Sequence, residues 1–546
     1  MSRETSARIV SELAKRGYNA EREAVTLLAG ASDTERALER AVENAPSDAV
    51  VIDADRVRTA LEKRQQQGGS GTETATTGGH QPSAEPAGTN PSVSTGTTGN
   101  ESHENGGSVP VETKGSGAGG DAEAGTVTTA PERAGTDRSA RSQDRREISV
   151  SGDIRSTGTG EYGDFVAVFR DRYEKLAGQL RGRVSHLPTD AVAGKSGSSD
   201  AAIIGMVSDI RSTANGHWLV ELEDTNGTFP CLVMKDRDFA ADVRTLLHDE
   251  VVAVEGTLSD DNDGDGILFV DDIYFPDVPR TYSPSTADRH VQAALVSDIH
   301  VGSEAFRADA WERFADWLHT DEAATVEYLL IAGDMVEGVG VYPDQDEELD
   351  IVDIYDQYEA FSEHLKSVPG DLEVVMIPGN HDAVRLAEPQ PAFDEELRSI
   401  MRAHDATISA NPSTVTVEGV EILMYHGVSL DEVIAELPDE AATYERPADT
   451  MAQLLRKRHV APQYGGHTRL APEESDHLVM ESVPDIFHTG HIHKLGYGTY
   501  HNVLTINSSC WQSQTEFQRS VNLNPDVGYA PIVDLDTLDL TVRQFV

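Results

Sequence analysis

The carboxyl-terminal half of the chain is predicted to fold as an α/β domain, and the stretch before it as a small β-barrel. From about residue 290 onward, short runs rich in Val, Ile and Leu alternate with helix-like segments, which is the pattern of an α/β domain. Between about residues 200 and 280, five short strand-like runs are separated only by turn-like stretches. With 546 residues, the chain has room for roughly two to four domains.

The chain is strongly acidic, with a formal net charge of -50 at pH 7. In molar salt the Debye length falls to about 3 Å, so self-repulsion is screened while a carboxylate-rich surface stays hydrated. We interpret the charge as an adaptation to very high salt. The alternative interpretation is a surface that excludes nucleic acid. If DNA is a partner, its binding has to rely on local basic spots and on metal ions, because molar salt weakens phosphate contacts steeply.

The cysteine content and the apolar runs exclude several classes of protein. Cys231 and Cys510 are the only cysteines, which argues against a disulfide framework and against a thiolate zinc site. No apolar run approaches the roughly 20 residues needed to cross a bilayer. The amino terminus lacks the apolar core of a signal peptide. We therefore expect a cytoplasmic protein that makes no membrane contact.

The amino-terminal region is predicted to contain one folded unit and one linker. Residues 1–64 show helical spacing, as in Ile9 with Leu13, and Ser32 begins a sequence that resembles a capping box. We expect a small helical interaction domain there. Residues 65–158 are rich in Gly, Ser, Thr and Pro, and such a stretch buries too little apolar area to offset its ordering entropy. We expect a disordered linker.

Residues 159–199 are predicted to form an amphipathic helix and a connector. The apolar stripe of the helix comprises Phe165, Phe169, Tyr173, Leu176 and Leu180. The basic side chains are Arg170, Arg172, Lys175, Arg181 and Arg183. We favour a solvated basic face above a buried stripe, and a phosphate or partner contact is the alternative.

Residues 200–285 are predicted to form an OB-fold. The five strands are predicted at residues 202–207, 217–223, 228–234, 250–258 and 267–274. A longer insert separates the third strand from the fourth, which fits the five-stranded OB-fold barrel. OB-folds often bind single strands by stacking bases on aromatic side chains over a basic groove. Because this barrel has few aromatic and many acidic residues, we expect it to be a structural element that packs on its neighbours.

Residues 286–546 are predicted to form the α/β domain, with apolar strands that end in side chains of metal-ligand type. Strands are predicted at residues 291–296, 326–331, 372–377 and 420–425, with further strands at 503–506 and 532–535. The candidate ligands are Asp298, His300, Asp334, Asn380, His426, His491 and His493. Since α/β sheets place ligands at the carboxyl ends of their strands, these side chains are expected to converge. Oxygen and imidazole donors without a thiolate favour Mn²⁺, Zn²⁺ or Fe.

The spacing of the candidate ligands suggests a two-metal site. In an extended strand, residues i and i+2 project to the same side, so Asp298 with His300 and His491 with His493 are each expected to offer two donors to one point. Asp334 is then placed to bridge two ions. Two ions roughly 3.5–4 Å apart can activate water and clamp the phosphorus centre of an in-line displacement.

These motifs match, in order, those of the calcineurin-like metallophosphoesterases, and the resemblance spans about residues 290–510. It implies a β-sandwich flanked by helices and two bound metal ions. The first ion would take Asp298, His300, Asp334 and His493. The second would take Asp334, Asn380, His426 and His491. His381 would be the proton donor or charge stabiliser, oriented by Asp382.

The longer context resembles a narrower family, the small subunits of archaeal family D DNA polymerases, over about residues 160–546. The additional matching segments are residues 333–338 (GDMVEG), 379–385 (GNHDAVR), 388–391 (EPQP) and 511–518 (WQSQTEFQ). This resemblance implies a 3'-to-5' exonuclease of the haloarchaeal type that proofreads for a separate large polymerase subunit. It implies DNA 3' ends as substrate, with a sliding clamp as a further candidate partner. We expect Mn²⁺ as the bound metal, with Zn²⁺, Fe and Mg²⁺ as alternatives.

Two other functions stay open on the sequence alone. The chain could be an inactive scaffold that holds the large subunit, or a stand-alone phosphoesterase acting on nucleotides or phosphoproteins. For Trp511 and Phe517 we favour packing, or an interface to the large subunit, over base stacking. Arg385 is as well explained by a salt bridge as by a phosphate contact.

Overall fold

The structure is a computed structural model, and it describes the chain in several ranges. These are scattered residues between 9 and 58, then 126–129, 147–152, 160, 162–195, 197–259, 266–342, 345–466 and 468–546. Among these residues, no helix is both long enough and apolar enough to span a bilayer.

Short helices form the described part of the amino-terminal region. They are α1 (Arg22–Ala29) and α2 (Thr34–Glu43), accompanied by the two-residue strands β1 (Asn19–Ala20) and β2 (Val51–Ile52), which pair in parallel. The apolar residues Leu28 and Leu38 of the two helices are buried, as helical spacing requires. The capping box predicted at Ser32 lies outside the described residues.

A closed five-stranded barrel follows the amphipathic helix, as predicted. The elements are α3 (Tyr162–Leu180), α4 (Thr189–Ala193), β5 (Asp200–Ser212), β6 (Trp218–Asp224), β7 (Gly227–Val233), β8 (Val251–Leu258) and β9 (Leu268–Tyr274). The strands pair in the order β5-β6-β7-β9-β8 and close on themselves. The predicted insert between the third and fourth strands contains a 3₁₀ helix, Asp238–Thr245. Leu176 and Leu180 of α3 pack on Ile204 and Met206 of β5, which attaches the helix to the barrel.

The carboxyl-terminal region alternates strands and helices, as the apolar pattern predicts. Its strands are β10 (Gln292–Val296), β11 (Val326–Ala332), β12 (Glu373–Ile377), β13 (Thr407–Ile408), β14 (Ser413–Val417), β15 (Val420–Met424), β16 (Ile486–Thr489), β17 (Leu495–Tyr500), β18 (Val503–Ser508), β19 (Tyr529–Asp534) and β20 (Asp539–Gln544). Its helices are α5 (Ala308–Leu318), α6 (Ile354–Lys366), α7 (Glu395–Ile400), α8 (Ser429–Glu436), α9 (Pro447–Lys457) and α10 (Glu516–Ser520).

The strands form two sheets that face each other. Strands β10 to β13 of the first sheet are parallel, and β10 also pairs antiparallel with β19. In the second sheet, β15, β16 and β18 are parallel, with β14 and β17 antiparallel beside them. Apolar side chains such as Leu295, Leu330 and Ile422 fill the space between the sheets. The first sheet packs its other face on α5 and α6, and the second on α8 and α9. The mixed α/β architecture is therefore confirmed.

The predicted linker is wrong at its carboxyl-terminal end. Residues Ile148–Ser151 form strand β4, which pairs antiparallel with β14 as the edge of the second sheet. Residues Thr126–Thr129 form strand β3, which pairs in parallel with β20. The four residues of β4 alternate half-buried and exposed positions, and a strand this short takes its stability from the sheet that receives it. Because the surrounding stretch is rich in Gly, Ser, Thr and Pro, a strand of four residues within it could not be recognised from the sequence. The rest of residues 65–158 lies outside the described residues.

The basic face of α3 is solvated only in part, because Arg170, Arg181 and Arg183 are exposed but its central arginine is buried. The Arg172 guanidinium donates to Asp476 Oδ2 (2.7 Å) and to the Pro462 carbonyl (2.6 Å). His459 Nε2 lies 3.0 Å from the same Asp476 oxygen. Lys175 also reaches this region and donates to the Asp476 carbonyl at 2.9 Å. The helix is therefore pinned to the segment that follows α9 by a buried ion pair.

A second buried ion pair joins the barrel to α9. Lys457 Nζ lies 2.9 Å from Glu250 Oε2 and donates to the Thr245 carbonyl at 2.6 Å. Both charged side chains are buried. The expectation that the barrel packs on its neighbours is confirmed by this contact.

Candidate metal centre

The loops that follow the parallel strands run side by side and carry the candidate ligands. Beyond the end of β10, Asp298 N donates to the Gly333 carbonyl (3.0 Å) and Ile299 N to the Asp334 carbonyl (2.8 Å). On the second sheet, Gly490 N donates to the His426 carbonyl (2.8 Å). These backbone bonds extend the strand pairing into the loops. The polar residues at the strand ends are thereby brought together.

Our expectation that Asp298, His300, His491 and His493 lie in extended backbone is wrong. Asp298 and His300 have φ of 52° and 57°, and His491 and His493 have φ of 70° and 53°. Asp334 shares this left-handed conformation, with φ of 51°. Non-glycine residues adopt it at a cost of about 1 kcal/mol or more each, and such residues cluster at functional sites. The donors converge because each loop turns back sharply rather than because a strand alternates.

Two glycines before the ligands are required by close approach. A Cβ atom on Gly379 would collide with the Asp334 carboxylate, and one on Gly490 would collide with the Asp298 carboxylate. Any larger residue would push these carboxylates out of place. This explains the glycine in the GNHD and GHIH motifs.

The first group of donors is formed by Asp298, His300 and His493, each of which offers one donor atom within 4.8 Å of the others. His300 Nε2 and His493 Nε2 are 3.0 Å apart. Asp298 Oδ1 lies 3.4 Å from His493 Nε2 and 3.8 Å from His300 Nε2. All three side chains are buried. The group therefore surrounds a single point with two imidazole nitrogens and a carboxylate oxygen.

The second group is formed by Asp334, His426 and His491, again with donor atoms within 4.8 Å of one another. His426 Nε2 lies 3.1 Å from Asp334 Oδ2 and 3.0 Å from Asn380 Oδ1, so Asn380 joins this group. Asp334 Oδ2 is also 3.8 Å from His300 Nε2. Asp334 is therefore within reach of both groups, as predicted for a bridging carboxylate.

Glu337 is a site residue that our reading of the sequence missed. Its Oε2 atom lies 2.8 Å from His300 Nδ1, and its backbone carbonyl lies 2.8 Å from His381 Nδ1. Similarly, the Ala332 carbonyl lies 2.8 Å from His426 Nδ1. An acceptor at Nδ1 fixes the ring and leaves Nε2 as the free donor to a metal. The only signal in the sequence was a second carboxylate three residues after Asp334 in GDMVEG.

The buried charges of the site fit divalent cations. Among the described residues, the ion-pair partners of Asp298, Asp334 and Glu337 are histidines and never Lys or Arg. Burial alone would raise the pKa of Asp334, but the neighbouring charges of His426 and His381 hold it below its usual value. Burial would lower the pKa of His426, whereas the Asp334 charge raises it to about 9. Buried ionised carboxylates need compensation, and oxygen and imidazole donors suit Mn²⁺, Zn²⁺ or Fe.

The role predicted for Asp382, that it orients His381, is not what the structure shows. The ring of His381 is held by the Glu337 carbonyl instead. Asp382 is buried below the turn, where it accepts hydrogen bonds from Gly379 N (2.8 Å) and from the Tyr358 hydroxyl (3.0 Å). Burial and the Asp334 charge raise the pKa of Asp382 to about 7. Asp382 therefore shapes the GNHD turn, while His381 stands at the rim with its side chain 17% exposed.

A cavity of about 320 Å³ opens beside both donor groups. Its lining includes His300, Asp334 and His381, with His491 and His493. Further along, the lining becomes aromatic and apolar, through residues Tyr342, Tyr444, Phe517, Val521 and Leu523. A substrate in this cavity therefore meets the donor groups on one side and apolar rings on the other.

The Glu337 contact leads to a prediction about metal affinity. Replacing Glu337 by Gln keeps the volume but removes the charged acceptor at His300 Nδ1, and loss of such a supporting contact typically weakens metal binding about 10- to 100-fold. We expect Mn²⁺ to bind the variant more weakly by that factor in calorimetric titration of the purified chain. Glu347→Gln, which changes a carboxylate outside the cavity lining, serves as the matched control. Unchanged affinity in Glu337→Gln would contradict the role assigned to Glu337.

Comparison with known proteins identifies the family. The family of B subunits of DNA polymerases alpha and epsilon matches residues 293–495. A DNA polymerase II small subunit from Halobacterium salinarum is 61% identical over 547 residues, covering 100% of both chains. The chain belongs to the family of DNA polymerase II small subunits. It is of the haloarchaeal type, in agreement with its acidic composition.

More distant small subunits match more than two thirds of the chain. The Archaeoglobus fulgidus DNA polymerase II small subunit is 43% identical over 383 residues, which is 68% of this chain and 75% of the relative. The Methanothermobacter thermautotrophicus DNA polymerase II small subunit is 39% identical over 399 residues, or 71% and 80% of the two chains. Among solved structures, an asparaginyl-tRNA synthetase from Pyrococcus horikoshii matches 16% of this small subunit and 22% of its own chain, with 16% identity and a TM-score of 0.16, from which we conclude nothing.

Proposed function

We propose that this small subunit is the 3'-to-5' exonuclease of a heteromeric DNA polymerase and that it removes nucleotides from DNA 3' ends. The proposal rests on two neighbouring donor groups, the second of which contains Asp334, a carboxylate that also lies within reach of the first. That arrangement suits a pair of divalent ions, and paired ions are the usual device for phosphodiester hydrolysis. Family membership supplies the DNA polymerase context, with a large catalytic subunit as partner.

We infer that the donors are divided as the metallophosphoesterase resemblance implies. The first ion would be held by Asp298, His300, Asp334 and His493. The second would be held by Asp334, Asn380, His426 and His491. When bound, such ions neutralise phosphate charge and lower the pKa of water. Mn²⁺ is our first candidate, and the two facing sheets with outer helices agree with a metallophosphoesterase domain behind an OB-fold.

The chain's own residues set the geometry of the reaction. Asp334 accepts a hydrogen bond from His381 N at 2.8 Å, which links the shared carboxylate to the rim histidine. Because the His381 ring donates from Nδ1 to the Glu337 carbonyl, its Nε2 is the atom left for substrate. A protonated His381 would give its Nε2 proton to the departing 3'-oxygen.

His381 gives the sharpest test of this division of roles. Replacing His381 by Asn removes the acid but none of the seven proposed ligands, so we expect kcat for 3'-end hydrolysis to fall about 10²- to 10⁴-fold. The Mn²⁺ content should stay at the wild-type value. A variant that loses metal together with activity would show that His381 is a ligand, since it also lies within 4.8 Å of donors from His300 and Asp334.

The experiment that tests the proposed function is digestion of DNA labelled at its 5' end. The full chain, with and without its large subunit, is incubated at high salt with Mn²⁺, Mg²⁺ or Zn²⁺. We expect a ladder of products shortened from the 3' end when Mn²⁺ is present. DNA that stays intact under all these conditions would favour an inactive scaffold.

A further inference from the structure

Two aromatic rings stack on each other at the mouth of the metal-site cavity. The ring centroids of Tyr342 and Phe517 are 5.2 Å apart, and their planes differ by 26°. Phe517 is 49% exposed, and Val521, four residues further on, is 57% exposed. We call Tyr342 and Phe517 the aromatic lip. Both residues line the same cavity as the donor groups.

The aromatic lip is connected directly to the donor groups. The Tyr342 hydroxyl donates to Glu337 Oε1 at 3.2 Å, and its ring centroid lies 6.2 Å from that of His381. Phe517 precedes Gln518, whose side-chain amide contacts His493 Nδ1 at 2.8 Å. A capping box between Thr515 and Gln518 fixes the start of α10 and so fixes the position of Phe517. These contacts fix the rings of Tyr342 and Phe517 relative to the donor groups, beside which a phosphate would be held.

The cavity offers aromatic rings but no basic side chain. Among the described residues that line it, none is Lys or Arg, and the chain carries a net charge of -50. Contacts between basic side chains and phosphates weaken steeply in molar salt. Stacking of a base on an aromatic ring does not depend on a charge on the protein, and every base has a face that can stack. In a chain adapted to high salt, stacking therefore offers a contact that can add to the binding of phosphate by metal ions.

We propose that the aromatic lip binds the nucleobase of the 3'-terminal nucleotide by stacking, whichever base it is. This inference rests on the proposed exonuclease function and adds the residues that would hold the terminal base. A base has to leave its pair before it can stack in the cavity, so frayed or mismatched ends enter more easily than paired ones. For Phe517 the sequence alone favoured packing or a subunit interface. Its exposure beside the donor groups favours a substrate contact.

The test compares two single-stranded oligonucleotides that differ only at the 3' terminus. One ends in a normal nucleotide and the other in an abasic nucleotide, and both are digested by the complex of the full chain with its large subunit at high salt with Mn²⁺. Stacking on one aromatic side chain usually contributes a factor of about 5 to 150. We expect wild-type kcat/KM to favour the base-bearing end by a factor in this range. Phe517→Ala should bring the ratio of the two kcat/KM values close to one.

The controls separate this inference from the proposed function. Phe269→Ala removes another exposed ring, on barrel strand β9, and should keep the wild-type ratio. If Phe517→Ala also keeps the wild-type ratio while hydrolysing both substrates, the lip is disproved and the nuclease stands. A wild-type complex that hydrolyses neither substrate overturns both. If Phe517→Ala no longer elutes with the large subunit in gel filtration, Phe517 belongs to an interface and the inference is overturned.

A second measurement does not depend on hydrolysis. An oligonucleotide with 2-aminopurine at its 3' end loses fluorescence when that base stacks. We expect quenching by the wild-type complex with Ca²⁺ in place of Mn²⁺, and loss of that quenching in Phe517→Ala. Tyr342→Phe, which keeps the ring and removes the hydroxyl, should retain most of it. Equal quenching by wild type and Phe517→Ala would contradict the proposed stacking.

Discussion

Replacing Asp334 by Asn should abolish the proposed exonuclease activity, lowering kcat/KM for 3'-end hydrolysis at least about 10³-fold. The substitution preserves shape but removes a carboxylate that lies within reach of both donor groups. Its Oδ2 atom lies 3.1 Å from His426 Nε2 and 3.8 Å from His300 Nε2. An amide cannot neutralise two cations, so both ions should be bound poorly. The measurement is Mn²⁺-dependent digestion of end-labelled DNA by the complex with the large subunit.

The control for this experiment is the same chemical change at an exposed site. Asp356→Asn alters an exposed aspartate on α6, away from the cavity, and should digest DNA at the wild-type rate. Both variants should elute with the large subunit in gel filtration. Retention of activity in Asp334→Asn, with assembly intact, would contradict the two-ion assignment.

Replacing Arg172 by Met should destabilise the chain by about 3–5 kcal/mol, the usual cost of leaving a buried charge without its partner. Asp476 stays buried in the variant, and its carboxylate keeps contacts with His459 and with the Leu478 backbone amide but loses its arginine partner. Burial alone would raise the pKa of Asp476, but the charges of Arg172 and His459 lower it. The measurement is the change in denaturant midpoint at fixed salt. Arg170→Met, at an exposed position of the same helix, should change the free energy of unfolding by less than about 0.5 kcal/mol.

The pH dependence gives this prediction a definite sign. A carboxyl group whose folded pKa is lowered contributes stability above its unfolded value, here 3.8, and loses it as the pH falls. The difference between wild type and Arg172→Met should therefore be full at neutral pH and shrink below about pH 4. A difference that stays constant from neutral to acid pH would argue against the Arg172–Asp476 ion pair as its cause.

The sequence predicted the strands and the convergence of the candidate ligands correctly where the pattern of apolar residues agreed with the rule for where α/β sheets place their ligands. Apolar runs such as 326–331 predicted buried strands, and the rule that ligands gather at the carboxyl ends of strands predicted which side chains would meet. The structure brings Asp298, His300 and His493 into one group and Asp334, His426 and His491 into another. These predictions needed only strand ends and residue types.

The features that sequence analysis missed depend on distant parts of the chain. The left-handed backbone of Asp298 and His491 arises from loops pressed together and leaves no trace in residue spacing. Arg172 is buried because Asp476, 304 residues away, receives it. Glu337 contacts His300 and the Tyr342 hydroxyl only after the loops have folded. Such contacts are tertiary, so a pattern read along the chain cannot reveal them.

Counting the metal ions bound to the purified chain shows directly whether the two donor groups hold a pair of cations. Wild-type protein is equilibrated with Mn²⁺ at high salt, freed of unbound metal, and analysed by mass spectrometry of the elements beside Asp334→Asn. We expect about two ions per wild-type chain and a loss of both in the variant. A wild-type chain that holds no divalent ion, or a variant that holds as many as the wild type, would contradict this expectation.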